Sequence, residues 1–196
     1  NESNQIVLVD GSGSHARNVK SNAVLNGSWN HVGVVRSSEK LTLYLNSEMV
    51  ESIDMGSDSY QFDSSFYMII GGRFQSNLFN GFLQDFRFIK GRAINPIVNF
   101  APNSLHNTDC HKPCPELAIR ANEETVGDDF YDLSLYRSFI ATEEGVTHSS
   151  EVSDPYDGVG SIKFSGSKSR MLVGPRDILN INGDFTLEFW EYIQGT

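Results

Sequence analysis

The sequence predicts an all-β chain folded as an antiparallel β-sandwich or jelly roll. Three observations predict it. Short runs rich in β-branched and aromatic residues recur between clusters of Gly, Asn, Asp and Ser; several runs alternate apolar with polar residues; and no window carries a helical period capped at both ends. Regularly spaced strands without intervening helices are the pattern of sandwiches and jelly rolls, not of α/β folds.

The elements follow in order. "QIVLVD" at 5–10 opens as a strand and "GSGSHARN" reads as a flexible connection. "WNHVGVVR", "KLTLYLNSEMVESI", "FYMIIGGRF" and "FNGFLQDFRFI" then form an antiparallel meander. In "KLTLYLN", Leu41, Leu43 and Leu45 alternate with Thr42 and Tyr44, the period of a strand with one buried face. "NSEM" is a hairpin turn with Asn46 in a left-handed backbone conformation. "GRAINPI" has room for one helical turn before Pro96 stops it. Four of the six prolines fall between Pro96 and Pro115, which marks a boundary between units. Beyond it, "ELAIRANEE" reads as a strand, "GDDFYDLSLYRSF" as an acidic turn region, and "GSIKFSGSKSRMLVG" as strand, glycine turn and strand. In the final "DFTLEFWEY", Phe185, Leu187 and Phe189 face a core while Thr186 and Glu188 face away. A strand with three large apolar groups needs neighbours on its face and its edges.

The chain of 196 residues carries 25 acidic against 15 basic residues, a formal charge of -10, with no basic run. That balance argues against a phosphate-tracking nucleic-acid binder and favours neutral sugars, cations or another protein as partners. No apolar stretch is long enough for a membrane span, and "NESNQIVLVD" lacks the basic flank and cleavage pattern of a signal peptide, so a soluble chain is expected. Cys110 and Cys114 lie beside His106 and His111. They form a small disulfide loop, stay as two thiols, or contribute to a metal site whose spacing departs from the usual zinc pattern.

The segment from Trp29 to about Phe100 resembles the second half of a laminin-G-like, concanavalin A-like jelly roll of the lectin/glucanase superfamily. The resemblance is carried by Gly27, by Trp29-Asn30-His31-Val32 opening a strand, by the Leu-x-Leu-Tyr-Leu-Asn hairpin, by the Ile-Gly-Gly turn, and by Asn80-Gly81 ahead of Gln84-Asp85-Phe86-Arg87. Leu117 to Tyr192 resembles the first half of the same family, through "YDLS", "GVGSIKFSGS" and Asn182 to Trp190. Tyr136 and Arg137 stand where relatives carry a glycine. The expected organisation is therefore a C-terminal half-domain at 1–100, a linker at 101–115 and an N-terminal half-domain at 116–196. Either this is one circularly permuted jelly roll, or the halves belong to two neighbouring domains of a tandem protein. In the family the "TLEFWEY" strand leads into the next hairpin, so a permuted chain is expected to bring it against "QIVLVD".

An enzyme of this fold class would be a glycoside hydrolase, which needs two carboxylates at a set separation across a cleft. The Glu-x-Asp-x-Glu run of the glucanase branch is missing. "ESIDMGSD" and "EVSDPYD" have the residue types at the wrong spacing, so no catalysis is expected. The resemblance implies calcium at a loop rim, held by Asp132 in "YDLS" and Asp85 in "LQDFRF", with Asp128 and Asp129 nearby; the alternative is that Asp132 and Asp85 cap turns. Gln84 replaces an acidic residue of many relatives. His31, Trp29 and Trp190 are expected in the core. The expected function is a non-catalytic glycan-binding or adhesion module of an extracellular or virion-surface protein, similar to phage appendage modules. Its partner is a glycan or surface receptor, contacted through Arg73, Phe74 and Asn77, and neither nucleic acid nor membrane. The rival is a structural capsid-decorating or fibre-building module that binds other copies or neighbouring virion subunits without binding sugar.

Overall fold

The computed structural model describes residues 5–10, 17–23, 26–56, 67–72, 78–94, 114–121, 129–153, 160–166, 168–174, 181 and 183–194. Among them are thirteen strands and no helix: β1 (Gln5–Asp10), β2 (Arg17–Ala23), β3 (Trp29–Ser37), β4 (Lys40–Leu45), β5 (Glu48–Asp54), β6 (Met68–Ile70), β7 (Asn80–Lys90), β8 (Leu117–Ile119), β9 (Ile140–Thr142), β10 (Val146–Ser149), β11 (Ser161–Ser165), β12 (Met171–Val173) and β13 (Phe185–Ile193). Pairing is antiparallel throughout. An eight-stranded sheet runs β10-β11-β7-β13-β3-β4-β5 with β8 also on β7; a three-stranded sheet runs β6-β12-β9; β1 and β2 form a hairpin. Val34, Leu43 and Phe88 of the large sheet share one apolar cluster with Ile70, Met171 and Val173 of the small one. This is the all-β antiparallel sandwich that the strand spacing predicts.

The strand β13 finds its neighbours inside the chain. One edge runs against β3, from Phe185 opposite Arg36 to Tyr192 opposite Trp29, and the other against β7, from Phe185 opposite Lys90 to Ile193 opposite Gly81. The expected contact with Gln5–Asp10 is replaced, because β1 pairs with β2. Strands of nine and eleven residues flank β13 along its whole length, whereas β1 has six residues.

A bulge in β7 sets which side chains share a face. Glu188 lies opposite Arg87 and Trp190 opposite Gln84, so Asp85 and Phe86 together oppose the single residue Phe189. Asp85 absorbs the extra residue with φ 51°, a left-handed conformation that Asp tolerates better than most residues. Alternation is thereby reset, and Leu83 and Phe86, three positions apart, point the same way. Both faces of the large sheet are covered at this point: Thr186 and Glu188, expected to face away, are buried along with Phe185.

The β4–β5 hairpin turns through Asn46 and Ser47, at φ 51° and 68°, as a two-residue loop with both residues left-handed. The Asn46 side-chain oxygen accepts the His31 N–H at 2.8 Å, and the Asn46 N–H is donated to the His31 carbonyl at 2.8 Å. Three strands escaped the sequence reading: β2, spelled "RNVKSNA" without apolar alternation, and the short β9 and β10. Residues 91–94 do not form the helical turn allowed by "GRAINPI". Thr186 holds them instead, its hydroxyl donating to the Arg92 carbonyl at 3.1 Å and accepting the Ile94 N–H at 2.9 Å.

Candidate functional site

One face of β7 and β13 buries an ionic group. Arg87 pairs with Glu188 at 2.7 Å, and Arg120, just past β8, pairs with Asp85 at 3.3 Å. Burial nevertheless dominates at Glu188, whose carboxyl is pushed up to about 7 against the pull of Arg87. His31 packs on the Trp190 ring with centroids 4.9 Å apart. Burial first, and the Arg87 charge second, lower its pKa to about 3, so the imidazole is neutral at physiological pH. The Gln84 amide closes the gap between β8 and β11 along β7. Its oxygen accepts the Ala121 N–H at 2.9 Å, and its nitrogen donates to the Ala121 carbonyl at 3.0 Å and the Gly160 carbonyl at 3.3 Å. A carboxylate in place of Gln84 has no donor for those carbonyls.

Asp132 organises the turn at 131–138 and docks it on β8. One oxygen accepts the Ala118 N–H at 3.0 Å and the Ser134 N–H at 2.9 Å; the other accepts the Ser138 N–H at 2.7 Å and the Ser134 hydroxyl at 2.9 Å. This is the turn-capping role open to Asp132 in the sequence. Calcium needs six to eight oxygens turned toward it. The oxygens of Asp132 are instead met by four donors, and Asp85 faces a guanidinium, so these two carboxylates as placed do not fit the ion. Among the described residues no three His, Cys, Asp or Glu side chains gather in a metal-binding group. Asp129 is exposed, while Asp128, Arg73, Phe74, Asn77 and Cys110 lie outside the described residues; Cys114 is half-buried.

A polar groove of about 490 Å³ opens at the end of β13, lined by Gly27, Asn80, Glu151, Val152, Tyr192 and Gln194. Strand alternation turns Tyr192 to this side, where its ring sits edge-on to Trp29 at 5.7 Å and Phe82 at 5.8 Å. The Trp29 indole N–H is donated to the Ser153 carbonyl at 2.9 Å, tying the segment after β10 to the start of β3. Lys163 donates to both Glu151 oxygens, at 2.6 and 2.8 Å, and fixes that carboxylate at the rim. Two primary amides, a carboxylate and a phenol thus surround one concave surface. None of the residues nominated from the sequence lines it. The candidate sugar contacts were chosen within one short stretch, whereas this groove is assembled from segments that are far apart in the chain.

Residues 1–96 match the family model described as the concanavalin A-like lectin/glucanases superfamily. No match is found among curated proteins or among solved structures. The match covers β1 to β7, including the β4–β5 hairpin and the bulged strand that carries Asp85. What is shown is thus a family match over this segment, and an all-β antiparallel sandwich consistent with it.

Proposed function

We propose that the chain is a non-catalytic glycan-binding or adhesion module of an extracellular or virion-surface protein, and that the groove at the end of β13 takes the sugar. The family match over residues 1–96 supports a carbohydrate-binding or adhesion-type module. The observation that carries the placement is the lining: Asn80 and Gln194 offer paired donors and acceptors to vicinal hydroxyls, beside the Tyr192 phenol and the Glu151 carboxylate. Binding without hydrolysis is favoured by the state of Asp85 and Glu188. Both are buried and held by arginines, out of a sugar's reach. A glycan array probed with the folded chain is expected to show retained sugars, and Asn80→Ala with Gln194→Ala to weaken retention at least tenfold. An array left blank by the folded chain at high concentration sinks the proposal.

A second reading, a structural module that joins other subunits, draws on one feature. The turn held by Asp132 leaves Tyr131, Leu135, Tyr136 and Phe139 at 58%, 73%, 44% and 68% exposure. Apolar groups on a fixed turn suit a protein contact. Light scattering separates the readings: a stable oligomer lost on Leu135→Ser and Phe139→Ser, without sugar retention, favours assembly.

A further inference from the structure

Glu191 is the second buried carboxyl of β13, and it differs from Glu188 in every partner. The two point to opposite faces of the sheet. Glu188 meets Arg87, whereas Glu191 projects to the face that carries Leu187 and Phe189. The bulge at Asp85 adds Leu83 and Phe86 to that face. Across from them stand Ile70 of β6 and Phe79, and between these groups lies an apolar groove of about 360 Å³. Among the described residues Glu191 is its single ionisable wall residue, and it is only 7% exposed. Its Oε1 is buried without a hydrogen-bond partner. Phe79, Leu187 and Phe189 keep partial exposure, so the groove reaches solvent.

A carboxyl buried among apolar groups without a partner is costly, and packing alone would place a Leu or Met there. We propose that this groove is a binding site for a small apolar ammonium ion, an alkyl- or arylamine, whose nitrogen docks on the Glu191 carboxylate and whose hydrocarbon body lies against Ile70, Leu83, Phe86 and Phe189. The volume is at the lower end of small-molecule pockets and holds roughly a dozen water-sized groups. An ammonium supplies the opposite charge and the donors that the carboxylate lacks, which makes the bond charge-assisted. Burial alone pushes the Glu191 carboxyl up to about 7, and a docked cation would draw it back toward the ionised form.

The test titrates the whole chain at pH 8 with 2-phenylethylamine and, separately, with 2-phenylethanol, by calorimetry and by amide chemical shifts. Saturable binding of the amine is expected, at least tenfold tighter than that of the alcohol, with shifts centred on β6, β7 and β13. It should weaken as the pH falls from 8 to 5 and protonates Glu191. In Glu191→Gln and Glu191→Leu, amine affinity should drop at least tenfold while alcohol binding is kept. The surface carboxylates that give the chain its negative charge are unchanged in these variants, so they control for non-specific attraction. Amine binding that is absent, equalled by the alcohol, or unaffected in both variants overturns the proposal. Glycan retention is read at a different groove, so each proposal can fail without the other.

Discussion

The sheet face a side chain occupies decides its chemistry, and Glu191 shows how strongly. Burial alone raises its carboxyl to about 7 from the usual carboxylate range. The folded state therefore holds a proton that the unfolded chain has released above about pH 4.5. Stability from this group is fully present below that pH and is lost as the pH rises through 7, on the order of 3 kcal/mol in all. Glu191→Gln removes the dependence. Urea unfolding is expected to show the variant gaining on the wild type between pH 4.5 and pH 8, and a gap that stays constant would refute the assignment. His31 was legible as a core residue from the strand that opens Trp-Asn-His-Val, whereas Trp29 and Trp190, expected in the core with it, are only half-buried. The surroundings of Glu191 were not legible. Alternation puts it on the face of Leu187 and Phe189, but which β7 residues wall that face depends on the register across the Asp85 bulge, and alternation within one strand carries no information on that register.

At the scale of elements, turns were read better than the strands they serve. Asn46 was assigned its left-handed conformation from the hairpin sequence alone, since Asn is among the few residues that adopt it cheaply. Asp132 was read as a calcium ligand or a turn cap, and its four donors show the cap. Asp132→Asn tests how much the turn depends on them, because an amide nitrogen at either oxygen position would face a backbone N–H. A loss of about 3 kcal/mol is expected in denaturant unfolding, and a loss below about 0.5 kcal/mol would mean that the turn is held by other contacts. The strands β9 and β10 on the far side of this turn were hidden for a physical reason. Runs of three and four residues carry too few alternations to stand out, and they become strands only by pairing with β12 and β11. The groove at the end of β13 was equally out of reach, since Gly27, Asn80, Glu151 and Gln194 converge only once β7, β11 and β13 are in register.

Across the whole molecule, the large sheet interleaves the two resembling segments: β10, β11 and β13 come from one, β3, β4, β5 and β7 from the other. Heating the 196-residue chain is expected to give one cooperative transition, and a chelator to leave its midpoint unchanged, because Asp85 and Asp132 are satisfied without a cation. Two separate transitions would instead assign the halves to independent units, and a calcium-dependent midpoint would restore the expected ion. The all-β class and the family were open in the sequence because both rest on short-range pattern. The sheet order was not, since β13 joins β3 across more than 140 positions. That placement also bears on biosynthesis. On the ribosome β3, β4, β5 and β7 emerge well before the strand that separates β3 from β7, so the nascent sheet waits with two long apolar edges uncovered. Its folding is then tied to the late emergence of β13, and a holdase that shields those edges would raise the yield more than any change in the rate of forming the early hairpins.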